Sequence, residues 1–106
     1  MSDALDRLFA TIASRRGADP ASSYTAKLLA AGMETCAKKF GEEAVEAVIA
    51  AARNDKTELA KESADVLYHL LVMWAAAGLT PGDVYAVLES REGMSGLEEK
   101  ASRPKA

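Results

Sequence analysis

Cysteine is nearly absent: Cys36 stands alone among 106 residues. That excludes an intrachain disulfide and a cysteine metal cage, and it reads as a reduced, small apolar residue of a cytosolic protein. Aromatic residues are also scarce, at 6 %. Beside abundant alanine this disfavours a sheet and favours closely packed helices. A basic excess is lacking too. The net charge is -3, so no overall positive field exists to attract nucleic acid. No long apolar run is present either. The longest, Val66 to Gly78, is interrupted by His69 and falls short of the roughly 20 residues that span a bilayer. The start carries acids at Asp3 and Asp6 and does not read as a signal peptide. The expectation is a soluble, cytoplasmic protein with one small domain and no membrane partner.

What the sequence has is helical periodicity. Leu5, Leu8, Phe9 and Ile12 recur at 3–4 spacing and predict a first helix over about Asp3 to Arg16. "GADPASS" reads as a loop. Ser23 can cap a short helix, "YTAKLLAAG", which Gly32 ends. Two long helices follow, about Met33 to Arg53 and Lys56 to Ala77, with Gly78 as a stop. "TPGD" is a helix start: Thr80 as cap, Pro81 at the first helical position, Asp83 three residues after the cap. That fifth helix ends near Glu92. The prediction is an all-α fold of about five helices over residues 1–92, with residues 93–106 a flexible, extended arm.

On the third helix Ala44, Val45, Val48, Ile49 and Ala52 share one broad face, with Glu42, Glu43 and Glu46 on the other side. The fourth is apolar nearly all round from Asp65 onward. Such a helix is buried on all faces, which a chain this small achieves poorly. A homodimer whose central bundle holds these helices is therefore expected.

The acids resist a plain surface reading. Lys38 and Lys39 lie four before Glu42 and Glu43, and Lys61 lies four before Asp65, so pairs worth about 0.2–0.5 kcal/mol each are expected there. Glu46 and Glu62 have no such partner; Glu42 and Glu58 lie four before them instead. Glu43 with Glu46, and Glu62 with Asp65, are both i, i+3 pairs. The connection "ARNDK" is short, so the two helices should be antiparallel neighbours and the pairs can face each other. Four converging carboxylates repel unless a cation sits among them, and all-oxygen ligation suits Mg²⁺, with Mn²⁺ as an alternative. His69 falls on the same face as Asp65 and is read as a core or supporting imidazole rather than a ligand.

E-x-x-E, a spacer and E-x-x-D on two antiparallel helices resemble the all-α nucleotide pyrophosphohydrolases, which include MazG-like enzymes and dimeric dUTPases. The flanking "SYTAKLL", "KKFGEEAVE", "ESADVLYHLLV" and "REGMSGLEEKASR" look like the phosphoribosyl-ATP pyrophosphohydrolases of histidine biosynthesis, in collinear order from about Leu5 to Arg103. The resemblance implies Mg²⁺-dependent hydrolysis of phosphoribosyl-ATP to phosphoribosyl-AMP and pyrophosphate. It implies Glu43, Glu46, Glu62 and Asp65 as metal ligands, and Glu42 as the candidate to orient or deprotonate the attacking water or to support the ligands from behind. Lys27, Lys38, Lys39, Arg91, Lys100 and Arg103 lie in the matching motifs and are expected to bind substrate. A functional link to the next enzyme, phosphoribosyl-AMP cyclohydrolase, is implied as well; the chain leaves no room for a fusion to it. Two other readings stay open: a housecleaning hydrolase of free NTPs or dNTPs, and a non-catalytic helical dimerisation module.

Overall fold

The computed structural model describes residues 3–93 together with Gly96, Ala101 and Arg103. Five α-helices follow one another: α1 (Asp3–Ser14), α2 (Tyr24–Ala31), α3 (Met33–Ala52), α4 (Lys56–Ala77) and α5 (Pro81–Ser90). Among the described residues there is no strand, as the composition and periodicity predict.

Local chemistry sets most boundaries. The Ser23 hydroxyl accepts from the Ala26 N–H at 3.1 Å and opens α2. Asp55 accepts from the Glu58 N–H at 3.0 Å and opens α4. At α5 the Thr80 hydroxyl and the Asp83 carboxylate cap each other's backbone reciprocally, with Pro81 in the first turn. Gly78 closes α4 at φ 79°, a left-handed conformation that costs glycine nothing. Two predicted ends run long. Helix α1 stops at Ser14, because Arg15 and Arg16 form tight i→i+3 turns back to Ile12 and Ala13. Helix α5 stops at Ser90, with Arg91 and Glu92 in the same kind of turn.

The core is small: Ile12, Leu28, Cys36, Leu71, Val72 and Ala75, with Leu8, Phe9, Tyr68 and Trp74 packed around it. Helix α4 supplies half of these residues and touches α1, α2 and α3. Three polar contacts tie the layers together. The Arg16 guanidinium donates to the Ala75 carbonyl, the Thr25 and Tyr68 hydroxyls bond each other, and the Cys36 thiol donates to the Leu28 carbonyl at 3.3 Å. Burial pushes that thiol's pKa up, so Cys36 is a packing residue and a poor nucleophile.

The α3–α4 hairpin is the most extensive helix pair. Its turn, residues 53–55, carries Asn54 at φ 59°, a left-handed position that asparagine tolerates. The covered stripe of α3 runs Cys36, Phe40, Glu43, Ala47 and Ala50 at 4–3–4–3 spacing, and the two alanines let α4 approach closely. The broad apolar face behaves differently. Within one chain Val45, Val48 and Ile49 are exposed, as is Leu67 of α4. A single chain therefore leaves α4 incompletely covered. Helix α5 has no buried residue and is anchored by Tyr85, whose hydroxyl donates to Asp6 at 3.1 Å. The chain bends by 106° between α4 and α5, and among the described residues no single helix is long and apolar enough to cross a membrane.

Leu71, fully buried, should cost about 2–5 kcal/mol on truncation to Ala. Thr80→Ala, which removes one cap, should cost about 1 kcal/mol. Chemical denaturation followed by circular dichroism measures both; a smaller loss for Leu71→Ala than for Thr80→Ala would contradict this account of the core.

Candidate metal centre

Helix α3 presents Glu43 to α4 two and a half turns before the hairpin, and α4 presents Glu62 and Asp65 one turn apart. A carboxylate oxygen from each of these three residues lies within 4.8 Å of the others. Two come from one helix and one from the other, so the cluster exists only because α3 and α4 pack as antiparallel neighbours. Glu43 and Glu62 are half-buried, and Asp65 is exposed. No lysine or arginine among the described residues pairs with any of the three.

That lack of compensation shows at Glu62. Its pKa is raised above the usual carboxylate value, first by loss of hydration, then by a hydrogen bond to Glu58 and by the charges of Asp65, Glu43 and Glu58. Every one of these causes disfavours the charged form. The cluster therefore lacks a positive charge, which is the property of a cation site. The donors are all carboxylate oxygens, the set that suits Mg²⁺ or Mn²⁺. Opposed oxygens on an octahedral Mg²⁺ lie about 4.2 Å apart. Neighbouring oxygens lie about 3.0 Å apart, so oxygens within 4.8 Å of one another reach a common ion once the side chains close inward.

The other expected site residues fall into distinct places. Glu46 is exposed and lies outside the tight trio; it lines an adjoining groove of about 330 Å³ with Ile49, Ala50, Arg53, Asp55, Glu58 and Glu62. Glu42 is exposed and pairs with Lys39 at 3.3 Å. Lys61 pairs with Glu58 at 3.8 Å. Both pairs correct the expected i, i+4 partners, Glu43 and Asp65. Three-residue spacing brings an alternative carboxylate within reach, and Glu43 and Asp65 are turned into the cluster instead. Lys27 and Lys38 are exposed on α2 and α3, and Arg91 is exposed just past α5. Arg103 is exposed, while Lys100 and most of the arm expected over 93–106 lie outside the described residues. Sequence spacing marks Glu58 as a like-charge neighbour of Glu62 but does not single out Arg53 and Asp55. The signal was there: Arg53 follows Glu46 by seven residues, two turns along one face.

His69 lies one turn beyond Asp65 and is buried, as the core reading predicts. Tyr68 and Tyr24 meet its ring edge-on at 5.0 and 6.3 Å. Its Nδ1 has no hydrogen-bond partner among the described residues.

The sign of the Glu62 effect gives a test. A carboxylate whose folded pKa is raised destabilises the fold above that pKa, and the penalty disappears as pH falls through it. Without divalent ions, Glu62→Gln should therefore melt above wild type at neutral pH and lose that gain in acid. With Mg²⁺ or Mn²⁺ the order should reverse, since the cation stabilises only wild type. Melting curves that keep one order under both conditions would contradict a metal site here.

Comparison with known proteins bears on the same residues. A family profile described as "PRA-PH: Phosphoribosyl-ATP pyrophosphohydrolase" matches residues 5–92. That range covers all of α3 and α4 and hence the whole carboxylate cluster. A phosphoribosyl-ATP pyrophosphatase of Cereibacter sphaeroides is 66% identical over 99 residues, covering 93% of this chain and 96% of that protein. One from Dinoroseobacter shibae is 65% identical, with 93% and 97% covered. One from Paracoccus denitrificans is 63% identical, with 93% and 92% covered. With its five helices, its paired acids and a match running through both, the chain belongs to the phosphoribosyl-ATP pyrophosphohydrolase family.

Proposed function

We infer that this chain is a phosphoribosyl-ATP diphosphatase of histidine biosynthesis. It hydrolyses the anhydride between the α and β phosphates, leaving phosphoribosyl-AMP and releasing pyrophosphate. The observation that carries the reading is the trio Glu43, Glu62 and Asp65, uncompensated and within 4.8 Å, in a chain of this family. A helical bundle with a purely structural role has no use for such a cluster, which costs stability.

Glu43, Glu62 and Asp65 would hold Mg²⁺, or Mn²⁺ in its place, with Glu46 joining from the groove beside them. Such an ion neutralises phosphate charge and lowers the pKa of a bound water. The chain's own residues do the rest. Glu42 is exposed one residue before Glu43 and is the candidate to orient or deprotonate the attacking water. Its pairing with Lys39 at 3.3 Å holds it on the exposed side of α3, next to the cluster. Lys27, Lys38 and Lys39 supply positive charge from the N-terminal side, and Arg91, Lys100 and Arg103 from the C-terminal side, where residues 93–106 close over the phosphates.

The active form is proposed to be a homodimer working in the cytoplasm. Val45, Val48, Ile49 and Leu67 expose apolar surface on the two helices that carry the acids, and a second copy laid there would bury it.

Substrate profiling decides between phosphoribosyl-ATP and free nucleotides. Phosphoribosyl-ATP should be turned over with pyrophosphate release, and free NTPs and dNTPs poorly; preference for a free triphosphate would move the chain to a housecleaning role. Truncation after Gly93 should raise KM or abolish turnover and leave the helical circular-dichroism spectrum unchanged. Unchanged kinetics would remove the arm from the site.

A further inference from the structure

We propose that Arg53 binds the pyrophosphate end of the substrate and holds it as it leaves; this rests on the diphosphatase reading above. The groove beside the carboxylate cluster shares Glu62 with it and runs toward the α3–α4 turn. On α3 its wall follows Glu46, Ala50 and Arg53, spaced by four and three residues. At 1.5 Å per residue, Arg53 stands about 10 Å along the helix from Glu46. One continuous channel thus leads from the cluster to a guanidinium.

Arg53 is the cation of that lining, and it is not engaged elsewhere. Its side chain makes no ion pair or hydrogen bond with a described residue. The nearby acids have other partners: Asp55 caps α4 through the Glu58 N–H at 3.0 Å, and Glu58 pairs with Lys61 at 3.8 Å. With Asp55 and Glu58 so engaged, and Glu46 and Glu62 at the end of the groove beside the cation site, Arg53 is suited to a ligand that brings its own negative charge. A guanidinium presents a planar fork that matches two phosphate oxygens, and donors aimed where charge develops favour cleavage.

The lining also says which end of the substrate lies there. Among the described residues Ile49 and Ala50 are its only apolar lining, and no aromatic ring lines it. Nothing in the groove can stack on a base, whereas its volume of about 330 Å³ accommodates two linked phosphates. The inorganic end therefore points to the α3–α4 turn, and the nucleoside lies on the far side of the cluster.

The test is calorimetric titration of pyrophosphate into the full-length protein with Mg²⁺, for wild type, Arg53→Ala and Arg53→Lys. Product inhibition by pyrophosphate and the Mg²⁺ thermal shift without pyrophosphate are read alongside. Arg53→Ala should weaken pyrophosphate about tenfold or more, as expected for a lost charge-assisted contact. Arg53→Lys should recover part of that, and the Mg²⁺ shift should stay at the wild-type value in both. An affinity unchanged by Arg53→Ala overturns the proposal. So does a parallel loss of the Mg²⁺ shift, because Arg53 would then act through the fold or the metal. Arg53-dependent pyrophosphate binding in a wild type inactive on phosphoribosyl-ATP keeps this inference and removes only the assigned substrate.

Discussion

The packing of α3 against α4 holds three carboxylates where they would not stay by themselves. Glu43, Glu62 and Asp65 repel one another, and at Glu62 that repulsion adds to the loss of hydration, the larger cause, in raising the pKa. The core beneath α4 supplies the opposing force. Leu71, Val72 and Ala75 anchor the second half of that helix, and Ala47 and Ala50 let α3 lie close to the first half. Stability is thus concentrated at one end of α4 and spent, in part, at the other. This division explains why the same helix reads as acidic for its first ten residues and apolar for the next ten.

Much of this was legible in the sequence, for reasons that are local. Ser23, Thr80, Pro81 and Asp83 place helix starts through hydrogen bonds spanning three residues, and Gly32 and Gly78 place ends through backbone freedom. The i, i+3 acid pairs were visible for the same reason, since a helix fixes what lies one turn apart. What escaped was decided by distance or competition. Lys39 and Lys61 choose the carboxylate three residues away because the ones four away are drawn into the cluster. Glu46 stands beside the trio rather than in it, because which acid turns inward depends on how α4 seats against α3. Arg53 joins the groove through the same non-local packing.

The apolar surface is the other feature that a single chain leaves unbalanced. Val45, Val48, Ile49 and Leu67 lie on α3 and α4, so the helices that carry the acids also carry the exposed hydrophobic face. Helix α3 is two-sided: small and acidic toward α4, branched and apolar away from it. A second chain on that outer face, as proposed, would tie assembly to the metal site through the shared pair of helices.

The central claim is that acids from both helices hold one divalent cation. Mn²⁺ titration followed by electron paramagnetic resonance tests it most directly, on wild type, Glu43→Gln and Asp65→Asn. The account predicts saturable binding in wild type that is sharply weakened by either substitution, one on each helix. Equal Mn²⁺ binding in all three proteins would contradict it.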